Sequence, residues 1–279
     1  FIKRDDVVMA YLFGSQAEGR TRSTSDWDVA VYFTPQSEEF EFEESRREYP
    51  AENMVWADCT QILGTDSVDL IVLNSAAATM ANEALQGIEL VNKNHSLWLR
   101  FVLLITKLAE DYRMFADDYH AIVQRSRSLT PGDKQRLDRL IDFLEEQIGL
   151  YDVYKAFTQE EYEDNPRQRN EIERWLENVT NACIDIAKII LGSQKKLIPP
   201  TYRETMRRAV NMFDLPADFE DKFDGWVRLR NVLAHEYLDV KWLRISKFAA
   251  ESSPYIEQYV QSAKQFSAES GEKKDTVLE

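Results

Sequence analysis

The sequence predicts an α+β protein in which a small mixed domain is followed by an all-helical domain. β-branched and aromatic runs occupy the first part of the chain, and an apolar period of 3.6 residues replaces them further on. A length of 279 residues is more typical of two domains than of one. Because breaker residues and a Thr-Pro-Gly-Asp helix start meet at residues 128–132, we expect the domains at 1–131 and 132–279.

Three strands are predicted in the first domain, at residues 7–13, 27–33 and 68–73, with a helix between the last two at 53–63. From residue 76 onwards only helices are expected, because apolar residues recur there at intervals of three and four. The predicted helices cover residues 76–91, 97–123, 134–154, 168–191, 201–212 and 217–232. The polar end of the chain is expected to be frayed.

The composition excludes several classes of protein. With 44% hydrophobic and 30% charged residues and only 9 Gly and 8 Pro, the chain has enough apolar side chains for folded cores. No apolar run approaches the roughly 20 residues that span a bilayer, and no secretory signal is recognisable, so we expect a cytoplasmic location and no membrane partner. The two cysteines, Cys59 and Cys183, exclude a disulfide framework and a cysteine zinc site.

The formal net charge of −15 argues against a surface that binds nucleic acid over its whole extent. Basic residues are nevertheless concentrated between residues 194 and 208, where they accompany the single acid Glu204. This basic patch comprises Lys195, Lys196, Arg203, Arg207 and Arg208. It fits either the lining of an RNA-binding cleft or an ordinary solvated helix face.

Two carboxylates stand two residues apart at the start of the second predicted strand. Asp26 and Asp28 therefore point to the same face, where their mutual repulsion is best tolerated around a divalent cation. Mg²⁺ takes one or two carboxylates together with phosphate oxygens. After the first strand, the turn formed by Gly14 and Ser15 offers backbone N–H groups and a hydroxyl to a triphosphate.

A third acid, Asp69, is the only acidic residue inside the third predicted strand. Beside Asp26 and Asp28 it would complete a metal site that activates a hydroxyl and stabilises a leaving pyrophosphate. The alternative for an Asp-x-Asp sequence alone is a turn, which aspartate also favours. Because a Gly-Ser turn lies upstream and strands lie on both sides, we interpret the three acids as a nucleotide and metal site.

Residues 7–95 resemble the minimal nucleotidyltransferase branch of the DNA polymerase β superfamily. The resemblance rests on Gly-Ser-Gln-Ala-Glu-Gly at 14–19, Ser-Asp-Trp-Asp at 25–28 and Val-Asp-Leu at 68–70. It implies a polymerase-β-like fold for this domain. In one position the chain departs from the family, since Glu18 stands where an arginine is frequent; that phosphate contact is then missing or moved to Arg20 or Arg22.

The same resemblance implies a role for each residue of the site. Asp26 and Asp28 would hold the metal and the nucleotide phosphates. Asp69 would complete the metal site and take the proton from the acceptor. Gly14 and Ser15 would cradle the triphosphate. The implied cofactors are ATP and Mg²⁺.

A second group of polar residues lies near the end of the helical half and contains Arg230, Asn231, His235 and Tyr237. On a helix, Asn231 and His235 are four residues apart and share a face. Histidine shuttles protons near neutral pH and arginine stabilises a phosphorane-like charge, so the pair can cleave RNA through its 2′-hydroxyl without a metal. The alternative for a single histidine is a packed or capping imidazole.

This stretch resembles the HEPN family, and within it the HepT-like toxins, through the order Arg230, four residues, His235, one residue, Tyr237. The resemblance extends over residues 133–250 and includes Asn-Ala-Cys-Ile-Asp-Ile-Ala at 181–187 and Pro-Thr-Tyr-Arg-Glu at 200–204. It implies a ribonuclease site of Arg230 and His235 in a cleft between two HEPN domains, and therefore a homodimer. It also implies that the partner nucleotidyltransferase adenylylates Tyr237 and so silences the nuclease.

The two sites together predict a fused toxin–antitoxin protein. An adenylyltransferase that uses ATP and Mg²⁺ would modify Tyr237 and so control a metal-independent ribonuclease, with Asn231 in a supporting role. Two alternatives stay open: a small-molecule adenylyltransferase of the aminoglycoside-inactivating kind, and a helical half that serves only dimerisation and nucleotide binding. His95 and His120 lack a second ligand at metal spacing, so no metal is predicted there.

Overall fold

A computed structural model describes residues 1–19, 26–36, 41–43, 47–125, 129–235 and 242–272, with the backbone alone at 235, 271 and 272. The chain divides into two compact units, Phe1–Arg113 and Met114–Glu279. All strands of the described residues lie in the first unit, and the second unit is helical there. The predicted α+β class is therefore confirmed, whereas the domain boundary at 131/132 stays a prediction.

The described residues of the first unit form a four-stranded sheet in the order β3-β2-β1-β4. The strands are β1 (Val7–Phe13), β2 (Trp27–Phe33), β3 (Val68–Val72) and β4 (Ile88–Asn92). β1 pairs antiparallel with both β2 and β4, whereas β2 and β3 are parallel. The strands predicted at 7–13 and 27–33 are confirmed at both ends, and the third ends one residue earlier than predicted.

Helices account for most of the remaining described chain. The first unit contains α1 (Gly14–Ala17), α2 (Glu52–Leu63) and α3 (Ala78–Leu85), and α4 (His95–Arg125) spans the point where the units divide. The helices that follow are α5 (Pro131–Ile148), α6 (Tyr151–Lys155), α7 (Gln159–Asp164), α8 (Pro166–Ser193), α9 (Tyr202–Met212), α10 (Asp218–His235), α11 (Trp242–Glu251) and α12 (Ser253–Glu272).

The helix predicted at 76–91 is wrong in its second half, because residues 88–92 form β4. The apolar residues Ile88 and Val91 are three apart, a spacing that also suits a helix. Residues 88–92 form a strand because they pair with β1. Gly87 allows the close approach of the two segments, since a Cβ atom there would lie 2.3 Å from the carbonyl oxygen of Leu12. Tertiary contact therefore overrides the local period.

The two faces of the sheet are covered by different helices. On one face, Val55 and Cys59 of α2 pack in a core with Val29 and Val31 of β2. On the other face, the ring of Phe101 in α4 meets Tyr32 edge-on at 5.1 Å. Since side chains alternate along a strand, the even-numbered residues of β2, from 28 to 32, point to the α4 face.

A buried polar cluster fixes the ends of β2 and β3. Asn74, two residues after the end of β3, accepts a hydrogen bond from the backbone N–H of Phe33 at 2.8 Å and donates one to the carbonyl oxygen of the same residue at 3.0 Å. Its amide also donates to the carboxylate of the buried Glu41 at 2.9 Å, and Tyr49 donates to that carboxylate at 2.9 Å. These bonds hold the parallel register of the two strands on which the predicted acids lie.

In the second unit, α8 is the central helix, and α5, α7, α9, α10 and α11 pack against it. Three helix starts follow sequence signals: Thr130, Asn165 and Thr201 each accept hydrogen bonds from the backbone N–H groups of the first turn. Pro131 and Pro166 occupy the first turns of α5 and α8. Proline is tolerated there because the backbone N–H that it lacks would have no partner within the helix.

Some of the helical predictions are corrected. The helix predicted at 134–154 is two helices, α5 and α6, interrupted at Gly149 and Leu150. At the end of the chain, α12 continues to Glu272 and packs on α5, while residues 273–279, part of the polar end for which fraying is predicted, lie outside the described residues. Within the described ranges, no helix combines the length and the apolarity needed to cross a bilayer.

Candidate active sites

The structure places two of the three predicted acids side by side. Asp28 on β2 and Asp69 on β3 are Cα partners in the parallel ladder, so their side chains leave the same face of the sheet. Asp26 immediately precedes β2, is exposed, and shares the parity of Asp28. The register that begins with Trp27 opposite Val68 is therefore what brings the carboxylates together.

The electrostatics of Asp28 reflect this crowding. The pKa of Asp28 lies above its usual range, first because partial burial disfavours the charged carboxylate. The negative charges of Asp69 and Asp26 raise this pKa further, and so does Glu83 of α3. Glu83 could not be recognised from the sequence, because its distance from the Asp-x-Asp motif follows no recognisable spacing.

Gly14 lies directly against the carboxylate of Asp28. Phe13 at the end of β1 is paired with Asp28, and the next residue, Gly14, turns the chain with a φ of +67°. A Cβ atom at Gly14 would lie 2.1 Å from Oδ2 of Asp28. The turn with Ser15 thus needs glycine for two reasons, the left-handed backbone and the close approach of the carboxylate.

Replacing Gly14 by alanine is expected to lower the free energy of unfolding by about 2–4 kcal/mol, from left-handed backbone strain together with overpacking. Gly64 provides a matched control, since it has a φ of +69° and a Cβ atom there meets nothing within 4 Å. Gly64→Ala should therefore cost only about 1–2 kcal/mol. Urea unfolding of both variants measures the difference, and equal costs would contradict the contact with Asp28.

The carboxylates beside Gly14 suit Mg²⁺ as a partner. Among the described residues, no group of three or more His, Cys, Asp or Glu side chains is arranged to hold a metal ion. Asp28 and Asp69 nevertheless match the one or two carboxylates that Mg²⁺ takes when phosphate and water complete its shell. The raised pKa of Asp28 fits too, because a cation would offset the repulsion. The ligand set of three acids stays a prediction.

In the second unit, Arg230 of α10 is held by groups from three helices. Its Nε donates to Oδ1 of Asn181 on α8 at 2.6 Å, and its Nη1 donates to Oδ1 of Asn231 at 3.2 Å. The carbon at the centre of the guanidinium lies 5.2 Å from the ring centroid of Tyr202 on α9. Only 7% of Arg230 is exposed, so its guanidinium is fixed rather than solvated.

The other predicted residues of this site are described less completely. Asn231 is fully buried, and its Nδ2 has no hydrogen-bond partner among the described residues. His235 is the last residue of α10, and only the backbone of His235 is described. Tyr237, the predicted modification site, lies outside the described residues, as do Arg20 and Arg22. The catalytic roles of Arg230 and His235 stay predictions.

The basic patch is largely engaged in ion pairs within its own unit. Arg203 is buried and binds both carboxylate oxygens of Asp224. Glu204 pairs with the other two arginines of the patch. Lys195 and Lys196 are exposed, and Lys195 has a φ of +55° after the end of α8. Arg203 thus joins α9 to α10, whereas the other two arginines pair with Glu204 within α9.

Two family models match the chain. The model described as Polymerase beta, Nucleotidyltransferase matches residues 1–96, which contain the Gly14 turn and the three acids. The model described as Ribonuclease HepT-like matches residues 135–263, which contain Arg230 and its surroundings. None of the curated proteins matches the chain. The chain is a fusion of a polymerase-β-type nucleotidyltransferase domain with a HepT-like HEPN domain.

Proposed function

We propose that this protein is a toxin–antitoxin fusion whose nucleotidyltransferase domain transfers AMP from ATP to Tyr237 and thereby silences an RNA-cleaving HEPN domain. The observation that carries the proposal is the pair Asp28 and Asp69, which are in register on adjacent strands, with Asp28 packed against Gly14. We place this chemistry in the cytoplasm, and on a homodimer in which the HEPN domains form the nuclease cleft.

The transfer step follows from the residues of the first domain. Asp28 and Asp69, with Asp26, would hold Mg²⁺, which supplies positive charge for the triphosphate and the leaving pyrophosphate. The phenolic oxygen of Tyr237 attacks the α-phosphorus, and the bond from that phosphorus to the bridging oxygen of pyrophosphate breaks. Because the phenol has an ordinary pKa of about 10, it needs a base, and Asp69 would take its proton.

The nuclease step follows from Arg230 and His235. The 2′-oxygen of RNA attacks the adjacent phosphorus, the bond to the 5′-oxygen breaks, and a 2′,3′-cyclic phosphate and a 5′-hydroxyl result. His235 moves the protons, and Arg230 stabilises the charge on phosphorus. An AMP group on Tyr237 would fill this cleft, and its phosphate would pair with Arg230.

Intact mass spectrometry tests the transfer. We expect wild-type protein incubated with ATP and Mg²⁺ to gain the mass of AMP, and we expect Tyr237→Phe and Asp28→Ala to gain none. Removal of Mg²⁺ with a chelator should also prevent the gain. Addition of AMP to Tyr237→Phe would contradict the target residue, and no addition to wild type would contradict the transferase. Transfer of AMP to an aminoglycoside by both wild type and Tyr237→Phe would instead favour the small-molecule alternative.

A further inference from the structure

Arg230 is surrounded by a set of contacts that motif spacing did not predict. Asn181 comes from the middle of α8, and Tyr202 is the first residue of α9. Both lie far from Arg230 in sequence, but both contact its guanidinium. The distance from Nε of Arg230 to Oδ1 of Asn181 is 2.6 Å, and the distance from Cζ of Arg230 to the ring centroid of Tyr202 is 5.2 Å. With Asn231, they define what we call the arginine cage.

The geometry of the arginine cage fixes the guanidinium in two ways. The amide oxygens of Asn181 and Asn231 bind N–H groups in the guanidinium plane and so set its rotation. The aromatic ring of Tyr202 interacts with the cation and restricts its displacement. The guanidinium is planar and rigid, so it loses less conformational freedom per hydrogen bond than a lysine ammonium would. The three contacts of the arginine cage therefore define one orientation of the Arg230 guanidinium.

The residues of the arginine cage are themselves held in place. Tyr202 meets the ring of Phe115 edge-on at 5.1 Å, and it begins a helix that Thr201 caps. Asn181 lies on the most buried helix of the unit, next to the buried residues Ala182 and Cys183. Supporting side chains that are fixed by packing are what a preorganised site requires.

A neighbouring arginine shows a different arrangement. Arg203 binds the carboxylate of Asp224 through two of its nitrogens, which compensates its charge directly. The three cage contacts of Arg230 come instead from neutral groups, two amide oxygens and an aromatic ring. Such contacts fix the orientation of the guanidinium, and a donor that is held in one orientation is what stabilises charge developing on a phosphate.

From this geometry we infer that Asn181 and Tyr202 are positioning residues of the HEPN site, which act on RNA through the orientation of Arg230. The inference rests on the proposed nuclease function. Misplacement of a catalytic group by about 1 Å can cost on the order of 100-fold in rate. Loss of either side chain should therefore lower kcat, while KM, which reflects RNA contacts along the strand, changes little.

The test compares RNA cleavage by variants made in an Asp28→Asn background, where Tyr237 is expected to stay unmodified. Asn181→Ala and Tyr202→Leu should lower kcat by about 10- to 100-fold with less than about a threefold change in KM. Tyr202→Phe keeps the ring and should restore kcat to within about threefold of the parent. Asn178→Ala removes the same side-chain atoms from the same helix and serves as the matched control.

A spectroscopic measurement separates orientation from activity. In ¹⁵N-labelled protein, the Nε–H resonance of Arg230, identified by its loss in Arg230→Lys, should shift and exchange faster with water in Asn181→Ala. It should stay in place in Asn178→Ala. Thermal unfolding of each variant establishes that it is folded at the assay temperature. If Asn181→Ala is unfolded at that temperature, Tyr202→Leu provides a second perturbation of the arginine cage.

The outcomes distinguish this inference from the proposed function. If the parent cleaves RNA and Asn181→Ala cleaves it equally fast, or if the Arg230 resonance does not move, the positioning role is wrong while the nuclease stands. If the parent cleaves no RNA in any nucleotide state, the nuclease itself is wrong, and the positioning role falls with it. A selective loss of kcat together with the moved resonance supports the inference.

Discussion

Replacing Asp28 by asparagine is expected to lower the rate of AMP transfer on the order of 1,000-fold and, at the same time, to stabilise the protein at neutral pH. Asp28 has the most crowded environment of the three acids, because it faces Asp69 across the strand pair and packs against Gly14. An asparagine fits the same space but cannot neutralise a metal ion, and several kcal/mol of charge stabilisation correspond to such a loss of rate.

The gain in stability follows from the sign of the pKa shift. The folded protein raises the pKa of Asp28 above its ordinary value of 3.8, so the folded state binds the proton more tightly than the unfolded chain does. The resulting contribution to stability is present below that ordinary value and is lost as the pH rises through the raised pKa. At pH 7 the charged carboxylate therefore opposes folding, and Asp28→Asn should raise Tm by about 1–3 °C.

Two measurements check both halves of this prediction. Initial rates of AMP addition are compared for wild type, Asp28→Asn, Asp69→Asn and the control Asp66→Asn, in which an exposed aspartate just before β3 is changed. Calorimetric Tm values are measured from pH 7 down to about pH 3.5, where the stability difference between wild type and Asp28→Asn should disappear. An Asp28→Asn protein that retains the rate of the Asp66→Asn control would show that Asp28 holds no metal.

The sequence predicted the strands that carry Asp28 and Asp69 well, whereas the ligand set of the site stays a prediction. The runs at 7–13 and 27–33 are rich in β-branched and aromatic residues, and their bounds match the structure. A side-chain period of two then places Asp26 and Asp28 on one face. The third strand could be recognised in the same way, and its position next to β2 brings Asp69 opposite Asp28.

What the sequence could not predict depends on contacts between elements. The apolar residues of β4 are spaced in a way that suits either a helix or a strand, and only pairing with β1 makes this segment a strand. Glu83 raises the pKa of Asp28 from a helix on the α4 face of the sheet, at no fixed spacing from the motif. Likewise, Asn181 lies 49 residues before Arg230, and only the packing of α8 against α10 brings them together.

Removal of the Arg230 side chain is the second substitution with a large expected effect, and it should strongly slow RNA cleavage in an Asp28→Asn background. Arg230→Ala is expected to lower kcat by about 100- to 1,000-fold, the usual cost of losing one donor to a developing charge. Loss of the general acid or base in His235→Ala should cost about 100- to 10,000-fold. Arg228→Ala and His120→Ala are the matched controls, since they remove the same residue types without touching the motif.

Stability separates a catalytic role of Arg230 from a structural one. Arg230→Ala leaves the oxygens of Asn181 and Asn231 without their donor, and each buried group left unpaired costs about 1–3 kcal/mol. A fall in Tm is therefore expected together with the loss of activity. Arg230→Lys keeps a positive charge and part of the packing, but it lacks the fork that the arginine cage holds, so it should remain folded and still cleave slowly. If Arg230→Lys cleaves RNA as fast as the parent, the charge alone suffices and the fixed orientation of Arg230 has no catalytic purpose.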